Sequence, residues 1–236
     1  MKYRGLIHFH SRYSFDSILS IKSIVNFALS ENLNFLVLTD HNTIEGSVKL
    51  KEYIENKGYD IEVLIAAEYC TEYGDVIALD IKNEIKDMNF NNFISLVKEQ
   101  GGYVLFPHPY VGHKNLEEIA NQADLIETFN SRVSYEKNEK AVELANKFFK
   151  KGYSSPDAHN RNSLKNAIVE FEKEGSLVES MLKNEISAIF TNKTFLYEIY
   201  FSQIVKSFKC KNLRLFTRMI LSILKSFLLL KLFKRV

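Results

Sequence analysis

The chain has no acidic residue after Glu198, and only two cysteines, three prolines and nine glycines in 236 residues. Cys70 and Cys210 stand far apart and outside any CxxC pattern. That excludes a disulfide framework and fits a reducing compartment. No Pro/Gly-rich linker, low-complexity tract or internal repeat divides the sequence, so its length suits one domain, or one domain with an appendage. No stretch reaches the roughly 18 to 20 apolar residues that span a bilayer. Met1 leads into a polar-flanked strand without the apolar centre of a signal peptide. A cytoplasmic location is therefore expected. The formal net charge of +2 gives no whole-molecule argument for a nucleic-acid partner. An apolar fraction of 46% over this length is enough to bury a large core.

What the sequence does contain is a run of short apolar segments alternating with helical periodicity. Residues 3–8 read as a first strand, and 35–38, 62–67, 76–79, 103–106, 125–129 and 153–155 as six more. Between them, Ile21, Ile24, Val25, Ala28 and Leu29 give helical spacing over 19–32. Thr43 caps a second helix running through 47–56 to Gly58. Further helices are expected at 90–99, ended by Gly101-Gly102, at 115–122, and at 135–151, ended by Gly152. Mostly alternating strand and helix implies a parallel sheet or closed barrel. In such folds the active site sits at the C-terminal ends of the strands.

Those ends carry a repeated chemistry. The apolar runs stop at or near His8-Phe9-His10, Thr39-Asp40-His41, Glu68, Phe106-Pro107-His108, Glu127 with Asn130, and Asp157-Ala158-His159. Five of the six histidines fall at these stops. Residues two apart at a strand end project to the same side, so His8 with His10, and Asp157 with His159, can reach one metal or neighbouring metals. A lone HxH reads equally well as two surface histidines; the argument lies in the repetition. Asp16 can return from the following loop to the same cluster. Asp40 beside His41 suits a group that orients an imidazole. Glu68 follows five apolar residues, so burial without cations would be costly, and it can bridge two metals. Pro107 and Pro109 stiffen the loop that carries His108. Nitrogen and oxygen ligands without thiolate suit Zn, Mn or Fe. His113, five residues past His108, reads as a loop residue.

The constellation resembles the PHP (polymerase and histidinol phosphatase) family. The resemblance rests on His8-Phe9-His10-Ser11, Ser14-Phe15-Asp16, Leu38-Thr39-Asp40-His41-Asn42-Thr43-Ile44-Glu45-Gly46, and Ala67-Glu68 with Gly74-Asp75-Val76-Ile77-Ala78-Leu79. It continues through Pro107-His108-Pro109, Ile126-Glu127-Thr128-Phe129-Asn130-Ser131-Arg132 and Ser155-Pro156-Asp157-Ala158-His159, in the family's order. It implies a distorted seven-stranded (β/α)7 barrel over residues 1–192 and a helical C-terminal appendage over 193–236. It also implies two or three divalent metal ions and phosphoesterase activity. By position, His8, His10, Asp16, His41, Glu68, His108, Asp157 and His159 would ligate metal, with Glu68 bridging and Asp40 one layer behind. Glu68, Asp40 and Asp16 would carry the chemistry. Three departures stand out: Ser11 where many relatives have Thr, Asp75 where many have His, and Pro156 in a motif that usually begins Gly-Ser-Asp.

The expected reaction is hydrolysis of a phosphate ester by metal-activated hydroxide. Arg132 is the first candidate for phosphate contact, because its planar fork suits bidentate binding. Asn130, Arg12 and Asp75 are further candidates for the substrate side, and Arg161 a weaker one. No basic, aromatic-interleaved surface for long nucleic acid is evident, which favours a small phosphorylated metabolite or nucleotide. Two other readings compete. One is a catalytically silent barrel serving as scaffold or regulator, with Asp75 and Pro156 as signs of decay. The other is a related hydrolase of C–N bonds, but no lysine stands where Glu68 does. In the tail, Leu213, Phe216, Ile220, Ile223, Leu224 and Phe227 recur at helical spacing, with Arg214, Arg218 and Lys225 toward the other side. Such a helix packs on the barrel, or makes a peripheral membrane or protein contact. Flotation on liposomes with and without residues 211–236 separates these.

Overall fold

A computed structural model describes the backbone of residues 2–233 and the side chains through residue 225. The tail's apolar run at 227–230, Phe227 included, lies outside the described side chains. The chain runs β1 (Lys2–Ile7), α1 (Ile21–Ser30), β2 (Phe35–Val37), α2 (Glu45–Lys57), β3 (Glu62–Val63), β4 (Ala66–Thr71), β5 (Gly74–Leu79) and α3 (Phe90–Glu99). It continues with β6 (Tyr103–Phe106), α4 (Leu116–Gln122), β7 (Leu125–Asn130), α5 (Tyr135–Lys147) and β8 (Lys151–Ser155). The last part holds β9 (Ala167–Glu172), α6 (Leu177–Lys183), β10 (Ser187–Thr191), α7 (Leu196–Lys209) and α8 (Leu213–Phe233). Helix ends follow local chemistry. Ser20 and Asn89 accept the backbone N–H three residues on, and Gly58 ends α2 in the left-handed region at φ 65°.

The closed seven-stranded barrel is not what forms. Among the described residues there are two five-stranded mixed sheets, ordered β10-β9-β1-β2-β3 and β4-β5-β6-β7-β8. Three local causes break the ring. The strand expected over 62–67 is interrupted at Leu64-Ile65, so its two ends fall in β3 and β4, in different sheets. Thr71 pairs with Gly74 across a two-residue turn, which obliges β4 and β5 to run antiparallel. The free edge of β1, which closure would need for β8, is taken instead by antiparallel β9. Parallel pairing survives in β1–β2–β3 and β6–β7–β8. The two sheets meet at isolated parallel bridges, Phe9 with Ala158 and His41 with Glu68.

The central strands of both sheets are covered on both faces, which is why β2 and β6 read as unbroken apolar runs. Leu6 and Leu36 pack outward against Ile24, Val25, Leu50 and Ile54 of α1 and α2. Tyr69, Val104, Phe106 and Ile126 pack outward against Phe93, Val97, Ile119 and Leu144 of α3, α4 and α5. Between the sheets lie Ile7, Phe35, Val37, Ile77, Leu105, Leu125, Tyr153 and Phe171. Burying one side chain such as Phe35 stabilises the fold by roughly 1.5 to 3 kcal/mol. The helix expected over 135–151 stops at Lys147 so that Lys151–Ser155 can pair with β7. In α8, Leu215, Phe216, Met219 and Ile223 are half-buried, while Leu213, Arg214, Arg218, Ile220, Leu221 and Leu224 are exposed. No helix among the described residues is long and apolar enough to cross a membrane.

Candidate metal centre

The two single-residue bridges draw four strand ends together. His10 N–H donates to Ala158 O at 2.8 Å, and Asp157 N–H to His8 O at 3.0 Å. Glu68 N–H donates to Asp40 O at 3.2 Å, and Asn42 N–H to Glu68 O at 2.8 Å. His8, His108 and Asp157 take φ values of 64°, 28° and 42°, a region that non-glycine residues rarely occupy. Backbone strain of this kind persists where surrounding bonds hold it and concentrates at functional sites.

Three carboxylates interleave with five histidines. Glu68 is central: its Oε2 lies 3.4 Å from His8 Nε2, 3.4 Å from His10 Nε2 and 3.3 Å from His41 Nδ1, and its Oε1 lies 3.0 Å from His108 Nε2. Asp16 Oδ2 sits 3.3 Å from His41 Nε2 and 3.1 Å from His159 Nε2. Asp157 Oδ1 is 3.4 Å from His10 Nε2, 3.6 Å from His159 Nδ1 and 3.8 Å from His8 Nε2. Four groups keep all their ligand atoms within 4.8 Å of one another. They are His10-Asp16-His41-His159, His8-His108-Asp157, His8-His10-Glu68 and Glu68-Asp75-His108. All eight residues expected as ligands thus fall in one cluster, and Asp75 joins it.

The electrostatics fit a cation site. Burial opposes charge on His8, His41 and His108, but the surrounding carboxylates outweigh it. His41 rises to about 9, and His8 and His108 also rise. Burial, with the rings of His159 and His41 beside it, takes His10 down to about 3. Burial works against the charged forms of Glu68, Asp157 and Asp16 too, yet the adjacent histidines, with Arg132 at Asp157, hold all three below the usual carboxylate range. His8 Nε2, both ring nitrogens of His10 and His108 Nδ1 are buried without a hydrogen-bond partner. Such atoms are costly in a folded interior unless something binds them, and two of them, His8 Nε2 and His10 Nε2, lie 3.4 Å from Glu68 Oε2, a nitrogen and oxygen donor set that suits a divalent cation.

A second layer holds this cluster in place. His8 Nδ1–H donates to Glu127 Oε1 at 2.8 Å, while Glu127 Oε2 accepts from His108 N–H at 2.6 Å and Asn130 Nδ2 at 2.9 Å. Asn130 Nδ2 also reaches Asp157 Oδ2 at 3.1 Å. Asn130 is therefore buried behind the cluster, and it does not line the cleft. Asp40 accepts from Ser11 twice, from N–H and from Oγ, each at 2.6 Å, so it fixes the loop after His10 and does not orient an imidazole. Burial pushes Asp40 up to about 6. A Cβ on Gly46 would lie 1.8 Å from Asp40 Oδ2, so only glycine leaves room for this contact.

The cluster opens into a cleft of about 850 Å³, lined on its far side by Arg132, Lys137, Ile199, Gln203 and Lys206. Arg132 Nη1 contacts the His159 ring, 3.0 Å from Nε2, and lies 3.9 Å from Asp157 Oδ1. Arg12 is exposed and does not line the cleft, and Arg161 lines a separate apolar groove. His113 Nε2–H donates to Asp75 O at 2.8 Å and belongs to none of the four groups. Sequence reasoning marked Glu127 as a strand stop without giving it a role. It missed α7 in the cleft wall altogether, because nothing in a basic tail signals which residues fold back.

The α/β scaffold gathers histidines and carboxylates from successive strand ends into a cluster able to hold metal ions. The PHP domain model matches residues 7–154, more than half of the chain, and the chain belongs to that family. An uncharacterized protein of Methanocaldococcus jannaschii is 33% identical over 115 residues, covering 44% of this chain and 66% of that protein. A two-domain protein from Bacteroides vulgatus containing a predicted PHP-like metal-dependent phosphoesterase superposes with a TM-score of 0.65 at 17% identity, over 81% of this chain and 65% of that one. PsfC from Pseudomonas syringae superposes with a TM-score of 0.63 at 15% identity, over 89% and 98%. The two structural likenesses are of fold. The chain spans just under two thirds of the Methanocaldococcus and Bacteroides proteins.

Proposed function

We propose that this chain is a metal-dependent phosphoesterase acting on a small phosphate ester. The observation that carries the reading is Glu68, whose two oxygens lie within 3.4 Å of ring nitrogens of four histidines at the base of an open cleft. His8, His10, Asp16, His41, Glu68, His108, Asp157 and His159 would hold two or three divalent ions of the Zn, Mn or Fe type, with Asp75 as an added ligand beside Glu68 and His108. Bound there, the ions would lower the pKa of a water and offset charge on phosphate oxygens. The chain's own groups then divide the remaining work. Arg132, beside Asp157 and His159, presents a guanidinium to the cleft where a phosphate would arrive. Glu127 and Asn130 keep His8 and Asp157 oriented. Asp40 holds the turn at Ser11.

Asp75 and Pro156 do not favour a silent scaffold, since Asp75 and Asp157 both stand within the ligand groups. The test joins elemental analysis to a panel of phosphorylated substrates. The expected result is two or three bound ions per chain and turnover of a phosphomonoester, with both lost in Glu68→Ala and His41→Ala. Undiminished turnover in Glu68→Ala, or a purified chain that takes up no metal, refutes the reading.

A further inference from the structure

Helix α7 is fastened over the cleft. Lys209 Nζ donates to the carbonyl oxygens of Arg12, Ser14 and Ser17, each at 2.7 Å. Arg132 Nη2 donates to Ser202 Oγ at 3.0 Å. Ile199, Gln203 and Lys206 thereby face the cleft that holds the ligand cluster. Lys206 is half-buried, and no carboxylate partners it among the described residues. Its ammonium lies 4.4 Å from the centre of the Phe15 ring. Phe15 in turn stacks on His41, with centroids 4.5 Å apart and planes 4° from parallel. An imidazole at that distance fills one face of Phe15, so the ammonium takes the other. A half-buried ammonium in a cleft, with no carboxylate partner among the described residues, attracts anions.

Resting on the phosphoesterase reading, we propose that Lys206 forms a subsite for a second anionic group of the substrate. The phosphate to be hydrolysed belongs at the ligand cluster, beside Arg132. Lys206 stands one aromatic ring away from His41, so it meets a carboxylate or phosphate carried on the alcohol part of the ester. Gln203, one turn back on the same helix, adds an amide beside it. The substrate class is then a phosphate ester with a further negative charge a few bonds from the ester oxygen. The +2 net charge of the chain does not create this preference; the placement of one lysine does.

Two non-hydrolysable probes that differ only in the distal group test this: 3-phosphonopropionate and propylphosphonate. Each is titrated calorimetrically into the full metal-loaded chain, as wild type, Lys206→Met and Lys206→Arg. A charge-assisted contact corresponds to a preference of about 10-fold or more for 3-phosphonopropionate in the wild type. In Lys206→Met that preference disappears, while metal content and propylphosphonate affinity stay at wild-type values. Lys206→Arg retains it. A wild type without the preference, a Lys206→Met that keeps it, or a Lys206→Met that loses metal or propylphosphonate binding overturns the assignment. A wild type that shows the lysine-dependent preference yet hydrolyses no phosphate ester refutes the phosphoesterase reading and leaves the anion subsite standing.

Discussion

His8 Nδ1 lies 2.8 Å from Glu127 Oε1, and both side chains are fully buried. This contact fixes which ring nitrogen of His8 faces the cluster: with Nδ1–H committed to Glu127, Nε2 is left to point at Glu68 and Asp157. Glu127 also accepts the backbone N–H of His108, so one carboxylate orients two of the histidines. Replacing Glu127 by alanine should therefore weaken metal binding about 10- to 100-fold without removing any ligand. Competition against a chromophoric chelator measures this, and an unchanged affinity would show that the His8 ring is held by packing alone.

Protons compete with metal for the histidines of this cluster. Neighbouring carboxylates raise His41 to about 9, so this imidazole carries its proton at neutral pH, and carboxylates raise His8 and His108 as well. The folded-state pKa of His41 is above its ordinary 6.5. Its contribution to stability is thus fully present below pH 6.5 and is lost as pH rises toward 9. Metal must displace these protons, so loading near pH 7.5 should release protons, and affinity should rise with pH until about 9. Titration in buffers of different ionisation heat counts the protons. His10, at about 3, contributes none. Metal uptake with no proton release would contradict the charge assignment.

Gly46 tests the layer behind the ligands. Its α-hydrogen faces Asp40 Oδ2, where a methyl would lie 1.8 Å away. Gly46→Ala must push Asp40 off Ser11, breaking two 2.6 Å hydrogen bonds inside a buried site. The combined overpacking and lost pairing should cost about 2 to 4 kcal/mol in urea unfolding. Asp40→Ala in the same chain removes the 1.8 Å clash and leaves a 2.8 Å contact with the Ser11 hydroxyl, which is free to turn away, so the double variant should be more stable than the sum of the two losses predicts. Simple additivity would show that the two residues do not interact.

Much of this was readable before folding. The clustering of these residues was legible because each strand end couples an apolar run to a polar stop, and because two-residue spacing turns His8 and His10 the same way. The break in the barrel was not. The run 62–67 has no polar residue or glycine at Leu64-Ile65 to mark the interruption, and the antiparallel turn at Glu72-Tyr73 shows only in the residues just before Gly74. Strand β9 does alternate, with Glu170 between Val169 and Phe171 and Glu172 after them, but a pattern built on seven parallel strands leaves no place for it. Strand β10 is largely exposed, so its side chains carry little periodic signal. Asn130 looked like a substrate contact because it ends a strand; whether such a residue faces the cleft or the layer behind it depends on a register that sequence does not reveal.

Lys209 shows how far that hidden information reaches into the site. Its ammonium donates to three main-chain carbonyls around Asp16, at 2.7 Å each, and burial lowers its pKa. The loop 11–17 has no helix or strand of its own to hold Asp16 against His41 and His159. Ser14 Oγ supports Asp16 Oδ1 at 2.8 Å, but it sits on the same loop and moves with it. The loop is anchored at its two ends, by Ser11 on Asp40 and by Ser17 Oγ on the carbonyls of His10 and His159, and Lys209 adds a tie from α7 across its middle. Lys209→Met should loosen Asp16 and weaken the His10-Asp16-His41-His159 group selectively. After dialysis the variant should retain about one metal fewer per chain than wild type, while the groups built on Glu68 and Asp157 stay loaded. Elemental analysis gives the count, and protease sensitivity at residues 12–17 reports the loop directly. Full metal retention together with an unprotected loop would separate loop order from metal binding and remove α7 from the design of the centre.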